Sequence, residues 1–303
     1  MLKIDQVRND FHCLKVNKGQ SPIYFDNACM TLKPDSVLNS MMDYYLNHPS
    51  CHKRAVHKFG QLTTNKYRKA REICKKFINS NKAEEIIFTR NTTEGINFLS
   101  NSFDFKKGDV VLTSDCEHNS NLLPWLVQTK KTGIIHKTFS ILPNNNLESL
   151  EEFENILKEG NVKLVSVFHT SHVTGITLPI NEMVKLAHKY GALFLLDAAQ
   201  GIAHYPIDVK NSDIDFLVFS FHKIFGPTGM GAFYGKMEHL KKLSPFLVGG
   251  ETVEDTDYNS CTYSAIPEKF EAGLQNYAGV IGSGSAIESV SYTHLTLPTN
   301  REV

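Results

Sequence analysis

The sequence has no long hydrophobic run and no excess of charge of either sign. Its longest apolar stretches, such as ALFLL at 192–196, are long enough for a strand and far too short to span a bilayer. Thirty-two basic residues balance 32 acidic ones, so no bulk field attracts nucleic acid or an anionic membrane. We therefore expect a protein that binds neither nucleic acid nor a membrane.

Paired cysteines and the common metal-binding spacings are also absent. The cysteines are scattered singly, at Cys13, Cys29, Cys51, Cys74, Cys116 and Cys261. This spacing favours reduced thiols, and the N-terminus MLKIDQVRND is too polar for a signal peptide, so we expect a cytoplasmic protein. The 13 histidines raise the alternative of a metal hydrolase, but the motif HExxH is missing. We predict no metal site.

From about residue 85 the chain alternates short apolar runs with segments of helical period. The predicted strands are 85–89, 109–114, 162–170, 192–198 and 215–220, and the predicted helices are 92–103, 147–160 and 181–191. Continuous apolar strands separated by helices predict an α/β fold, with a mostly parallel sheet sandwiched by helices. In such sheets ligands bind beyond the carboxyl ends of the strands.

The C-terminal stretch changes character abruptly. Segment YAGVIGSGSAIESV (277–290) predicts the start of a helix that leads into another domain. The Thr-rich segment SYTHLTLPTNREV (291–303) that follows has no helical pattern and resembles adaptor-derived read-through. We expect 291–303 to be a non-native tail on a protein truncated near Val290, with a genuine flexible tail as the alternative.

The strongest local signal is SFHKIFGPTGMGAFYG (220–235), where an apolar strand ends and Lys223 follows. It is not a phosphate-binding P-loop, because Met230 stands where that motif needs glycine. A lysine in this place is commonly a solvated surface charge. Ser220 and His222, however, can donate charge-assisted hydrogen bonds to a phosphate, worth roughly 1.5–3 kcal/mol each against about 0.3–1 kcal/mol for a helix dipole.

A second signal is Asp197, which ends the strand ALFLLD. A buried carboxylate there needs a partner, because burying it alone is costly. It either caps the next segment or pairs with a protonated pyridine nitrogen, whose charge makes the ring an electron sink. The combination of Asp197 and Lys223 on strand ends favours the second interpretation.

Two further segments follow predicted strands. Thr92 and Thr93 begin a predicted helix whose free N–H groups can bind an anion, although ordinary capping explains the same pattern. His118, in CEHNSN (116–121), can stack on a flat aromatic ring or be an ordinary loop histidine.

Taken together, these segments resemble class V aminotransferases, most closely the cysteine desulfurase and selenocysteine lyase branch. The matching stretches, in the family's order, are YFDNACMTLKP (24–34), RAVHKFG (54–60), EIIFTRNTTEGIN (85–97), EHNSNLLPW (117–125), HTSHVTG (169–175), LDAAQGIAHYPIDV (196–209), DIDFLVFSFHKIFGPTGMG (213–231) and KFEAGLQNYAGVIG (269–282). The resemblance implies pyridoxal 5′-phosphate (PLP) as cofactor, an amino acid as substrate, a homodimer and a possible sulfur-acceptor protein.

The resemblance also implies a domain organisation. An N-terminal arm (1–20) precedes a PLP-binding large domain (21–275) of the aspartate-aminotransferase-like PLP-dependent transferase type, with a seven-stranded sheet. A linker helix starts at 276–290, and the small C-terminal domain is missing.

Individual residues acquire expected roles from the same resemblance. Lys223 forms a Schiff base with PLP and moves the α-proton, Asp197 binds the ring nitrogen, and Gln200 bonds the phenolic oxygen. His118 is catalytic and stacks on the ring. The remaining expected cofactor contacts are His172 beside the phenolic oxygen, with Thr92, Thr93, Ser220 and His222 toward the phosphate. Because Lys223 must be neutral to take a proton, we predict a lowered pKa caused by the pyridinium and by burial.

Three departures from the family's pattern bear on the function. His172 stands where most members have asparagine, and Leu274 replaces a threonine that reaches the partner subunit's phosphate. The nucleophilic cysteine and the arginine for the substrate carboxylate belong to the missing domain, and Cys261 is a weak substitute. The implied reaction is desulfuration of L-cysteine to L-alanine and an enzyme persulfide, or selenocysteine lysis. The alternatives are a class V aminotransferase, an epimerase of the isopenicillin-N type, and an inactive fragment that binds cofactor.

Overall fold

The computed structural model describes residues 4–15, 22–142 and 146–291. The expected N-terminal arm is described in part, as helix α1 (Ile4–Asn9) and a 3₁₀ turn (His12–Leu14). The expected tail at 291–303 lies outside the described residues after Ser291.

Eight further helices and nine strands follow in the described ranges. The helices are α2 (Asp35–Asn47), α3 (Lys58–Ile78), α4 (Thr92–Ser102), α5 (Leu123–Lys131), α6 (Asn146–Lys158), α7 (Ile180–Lys189), α8 (Met237–Leu240) and α9 (Tyr277–Val290). The strands are β1 (Ile86–Thr89), β2 (Val110–Ser114), β3 (Ile135–Phe139), β4 (Val162–Phe168), β5 (Leu193–Asp197), β6 (Phe216–Ser220), β7 (Gly231–Gly235), β8 (Val253–Thr256) and β9 (Cys261–Tyr263). No helix in these ranges is both long enough and apolar enough to cross a membrane.

Seven of the strands form one sheet in the order β1-β7-β6-β5-β4-β2-β3. Strands β3, β2, β4, β5 and β6 pair in parallel, whereas β7 is antiparallel to both of its neighbours. The prediction of a mostly parallel seven-stranded sheet is confirmed. Strands β8 and β9 form a separate two-stranded hairpin.

The central strands are buried on both faces because successive side chains point to opposite sides of the sheet. In β5, Phe194 and Leu196 belong to the hydrophobic cluster on one face, and Leu195 belongs to the cluster on the other. In β6, Leu217 joins the first cluster and Val218 the second. This explains why these strands read as continuous apolar runs.

Helix α9 packs between α2 and α3. A side chain at Gly284 would come within 3.1 Å of the Ala70 side chain, so the glycine permits this close approach to α3. Val280, Ile287 and Val290 of α9 belong to the hydrophobic cluster that also contains Phe194 and Leu196 of β5. The predicted helix over 277–290 is confirmed.

Candidate active site

A cavity of about 480 Å³ opens where β4, β5 and β6 end. The last residues of these strands, Phe168, Asp197 and Ser220, form part of its wall. Every side chain predicted from the sequence also lines this cavity: Thr92, Thr93, His118, His172, Asp197, Gln200, Ser220, His222 and Lys223. Leu274 lies elsewhere, 71% exposed, and Cys261 lies on β9.

Lys223 lies just beyond the end of β6, in a 3₁₀ turn (Phe221–Lys223). Burial lowers the pKa of its amine, and the neighbouring charges of Asp197 and Cys29 oppose that shift. The direction agrees with the prediction, and burial alone is sufficient to cause it. A lysine that is neutral more often than usual is a better proton acceptor.

Asp197 is buried, and in the described part of the chain one hydrogen bond reaches its carboxylate, from the Ala199 amide at 2.9 Å. Burial raises its pKa, and the Ala199 bond, Lys223 and His172 lower it less. The Ala199 contact is the capping hydrogen bond that the sequence analysis considered for Asp197. A carboxylate can accept about four hydrogen bonds, so Asp197 retains capacity for a cationic N–H donor.

The rings of His118 and His172 make an edge-to-face contact at the cavity wall. Their centroids are 4.9 Å apart and their planes are inclined by 71°. The Ser120 amide donates to His118 Nδ1 at 3.1 Å, so the neutral imidazole carries its hydrogen on Nε2. Burial, followed by Lys223, lowers the pKa of His118. His118 therefore presents a neutral ring with a fixed tautomer.

The hydroxyl side chains form a polar cluster at the start of α4. Ser220 Oγ accepts a hydrogen bond from the Thr92 amide at 2.8 Å and lies 2.7 Å from Thr92 Oγ1. Thr93 Oγ1 lies 2.7 Å from Ser120 Oγ. His222 lies on the same wall, and burial lowers its pKa. Hydroxyl donors beside a helix N-terminus suit an anion such as phosphate.

We predicted no role for the N-terminal segment 26–31, part of which lines the cavity. Thr31 donates to the His222 carbonyl from its amide at 3.0 Å and from its hydroxyl at 2.9 Å. The Gln200 side chain donates from Nε2 to the Ala28 carbonyl at 2.8 Å, a contact that was not predicted. Asp26 and Cys29 line the cavity. These are long-range contacts, and the only sequence signal for them is that 24–34 matches a family stretch.

These residues fit PLP by the chemistry of their donors and acceptors. An underpaired buried carboxylate at Asp197 suits a ring N–H, and a partly buried amine at Lys223 suits an aldehyde. Hydroxyl groups and a helix N-terminus suit a phosphate, and His118 presents a flat ring. No single one of these features is specific, but one cavity contains all of them.

Comparison with known proteins gives consistent similarities. A family model described as Aminotransferase class-V matches residues 23–301. A cysteine desulfurase of Synechococcus elongatus is 38% identical over 292 residues, which are 95% of this chain and 46% of the relative. A probable cysteine desulfurase of Halalkalibacterium halodurans is 38% identical over 287 residues, 93% of this chain and 70% of the relative.

Solved structures show the same similarity in three dimensions. The apo structure of a cysteine desulfurase from Thermococcus onnurineus NA1 superposes with a TM-score of 0.90 at 36% identity. The match covers 96% of this chain and 72% of that one. The chain thus spans part of the length of its relatives, and about half of those from Synechococcus elongatus (46%) and Mycolicibacterium paratuberculosis (42%).

Proposed function

Because this chain belongs to the class V aminotransferase family, on its cysteine desulfurase branch, we propose that it takes part in removing sulfur from L-cysteine with PLP as cofactor. The observation that carries the proposal is that an amine and a carboxylate, Lys223 and Asp197, line one cavity at the strand ends. Selenocysteine, in which selenium takes the place of sulfur, is the alternative substrate.

The side chains divide the work of holding the cofactor. Asp197 would accept a hydrogen bond from the ring nitrogen, while Thr92, Thr93, Ser220 and His222 would surround the phosphate. His118 would cover the ring, and His172 and Gln200 would reach its phenolic oxygen. When bound, PLP supplies an electron sink for the electron pair left at the substrate α-carbon.

Lys223 would then receive the α-proton on Nζ. This requires a neutral amine, and burial shifts the pKa of Lys223 in that direction. Sulfur transfer further needs a thiolate that attacks the substrate sulfur. Cys116 lines the cavity, but burial and then the Asp115 carboxylate raise its pKa to about 11, so it is a poor candidate.

We also propose a homodimer and a cytoplasmic location. Large apolar side chains are open to solvent in the N-terminal part of the chain, where Phe25 is 91%, Ile23 80% and Val56 86% exposed. Apolar side chains in such number favour a protein partner, and a second copy is the simplest one. All six cysteines are free thiols, which suits a reducing compartment. A sulfur-acceptor protein would complete the proposed reaction.

The experiment compares the wild type with Lys223→Ala, using Lys163→Ala, an exposed lysine on β4, as a matched control. We expect the wild type and the control to show a visible absorbance band after reconstitution with PLP, and Lys223→Ala to lack it. A band that persists in Lys223→Ala contradicts the role of this lysine.

Product analysis with L-cysteine and a thiol reductant separates the reactions. Alanine and sulfide in equal amounts support desulfuration. A deaminated or racemised product supports an aminotransferase or an epimerase, the alternatives that His172 leaves open. An absorbance band without any turnover supports a fragment that binds the cofactor and is inactive.

A further inference from the structure

The carboxyl of Glu117 joins three elements behind the cavity. Its Oε1 accepts hydrogen bonds from Ser114 Oγ at 2.5 Å, at the end of β2, and from the Phe168 amide at 3.2 Å, at the end of β4. Its Oε2 accepts from Asn121 Nδ2 at 2.7 Å. Glu117 therefore ties the loop that carries His118 to the sheet.

The surroundings of Glu117 disfavour its charge. Asn121 and Ser114 are buried, and Phe168 is the register partner of Asp197 across β4 and β5. Burial first, and then repulsion from Asp197, raise the pKa of Glu117 to about 8, against the lowering effect of its three hydrogen bonds.

The hydrogen bonds also show where a proton on this carboxyl would lie. Asn121 cannot turn its amide around, because its Oδ1 already accepts from Trp125 Nε1 at 3.2 Å and from Ser166 Oγ. Oε2 thus always faces an N–H donor. Of the three groups bonded to the carboxyl, the Ser114 hydroxyl alone can also accept, so a proton on Oε1 would be donated to Ser114 Oγ.

We propose that Glu117 is a positioning residue that works as a neutral acid behind the cofactor site, and whose ionisation places a second negative charge beside Asp197. The neutral form holds the His118 loop without competing with Asp197 for a cation. The ionised form strengthens the negative potential that the ring nitrogen and Lys223 experience. The effect on the bound cofactor rests on the proposed function, whereas the protonation state of Glu117 does not.

The titratable groups around Glu117 are few in the described ranges. Asp197 on β5 acts on it electrostatically, and Cys116 and His118 are its neighbours on the loop. Glu117 in turn helps to raise the pKa of Cys116. Ser114 on β2, Asn121 in the 3₁₀ turn (Asn119–Asn121) and the Phe168 amide on β4 are uncharged. A titration of Glu117 therefore changes the charge next to Asp197 directly.

Infrared spectroscopy of the apo-protein tests the protonation state. We expect a carbonyl stretching band of a protonated carboxyl that disappears with a midpoint near pH 8, the pKa of Glu117. The band should shift when glutamate is labelled with ¹³C and should be absent in Glu117→Gln. Asp115→Asn, which removes an exposed carboxylate from the same loop, is the matched control and should keep the band. Labelling the wild type assigns the band to a glutamate even if Glu117→Gln folds poorly.

The cofactor-loaded protein tests the influence on the site. The visible band should show a second inflection near pH 8 in the wild type and in Asp115→Asn, and no such inflection in Glu117→Gln. A merely structural role would lower the melting temperature of Glu117→Gln and leave that inflection in place.

Two results overturn the inference: an apo-protein without a titrating carboxyl band between pH 6 and about 9, or identical cofactor titrations in Glu117→Gln and the wild type. Failure of the wild type to bind PLP contradicts the proposed function instead, and the infrared titration still decides the state of Glu117.

Discussion

Asp197 and Asp215 are buried carboxylates at opposite ends of neighbouring strands, and their surroundings differ. Asp197 is the last residue of β5, and Asp215 directly precedes β6. Asp215 Oδ2 accepts from His188 Nε2 and from the Phe194 amide, both at 2.8 Å. Its Oδ1 accepts from Lys236 Nζ at 2.7 Å and from His239 Nε2 at 3.1 Å.

The two pKa values consequently shift in opposite directions. Burial raises the pKa of both carboxyls, but at Asp215 the hydrogen bonds from His188, His239 and Lys236 reverse the shift and hold the pKa well below its usual range. Within the described residues Asp197 has one donor, the Ala199 amide, and its pKa stays raised. A fully paired buried carboxylate serves the fold, whereas an underpaired one at a cavity is available to a ligand.

The largest effect should come from removing the charge of the paired carboxylate. In Asp215→Asn an NH₂ group replaces one carboxylate oxygen and meets N–H donors. Lys236 and His188 lose their buried negatively charged partner. We expect a loss of about 3 kcal/mol in the free energy of unfolding, the low end for a broken buried pair because both partners retain contact with water. Urea unfolding of the apo-protein measures it. A loss no larger than that of Asp213→Asn, an exposed neighbour, would make the pairing at Asp215 unimportant.

The corresponding substitution at the cavity, Asp197→Asn, should weaken ligand binding and leave the protein folded. If Asp197 binds the ring nitrogen as proposed, Asp197→Asn would remove a charge-assisted hydrogen bond, which is worth roughly 1.5–3 kcal/mol. The affinity for PLP should therefore fall about 10- to 150-fold. Equilibrium dialysis of PLP gives the affinity, with Asp115→Asn as control. If affinity stays unchanged while stability falls, Asp197 is a structural residue like Asp215.

A smaller loss is expected at the hydroxyl cluster. Ser220→Ala would remove one proposed donor to the phosphate and would also free the Thr92 amide, which could then donate to the anion itself. This compensation keeps the expected loss of affinity to about 2- to 10-fold, the worth of one hydrogen bond of roughly 0.5–1.5 kcal/mol. Titration with inorganic phosphate, compared with PLP, measures it. A loss as great as that of Asp197→Asn would assign most of the binding energy to the phosphate.

Of these two carboxylates, the sequence identified Asp197 as a candidate site residue and did not identify Asp215. Polar residues that interrupt apolar runs at strand ends identified Asp197, Ser220 and Lys223, because the ends of parallel strands meet at one edge of the sheet. Asp215 was included only as the first residue of a predicted strand. Its partners His188 and Lys236 lie 27 and 21 residues away, and no local pattern indicates such a pairing.

Other elements were missed for related physical reasons. Strand β3 lies at the edge of the sheet and has exposed or half-buried residues at four of its five positions, so it lacks the apolar run that marked the central strands. Glu117 was quoted only as part of a motif. Its importance depends on the burial of Ser114 and Asn121 and on the distance of its carboxyl from β4, which only the folded chain determines.

The pH dependence of stability is the subtlest way to separate the two carboxylates. A raised folded pKa means that the folded protein binds the proton more tightly, so Asp197 makes the apo-protein less stable as the pH rises from the unfolded value of 3.8 through its folded pKa. Asp215 has a lowered folded pKa, so its contribution is complete above 3.8 and is lost only as the pH falls below it. As the pH rises above 3.8, Asp197→Asn should therefore flatten the stability curve and become more stable relative to the wild type. Urea unfolding at several pH values measures this, with Asp115→Asn as control. A wild-type curve that runs parallel to that of Asp197→Asn would mean that the carboxylate at the site is as well solvated or paired as the one at the other end of the sheet.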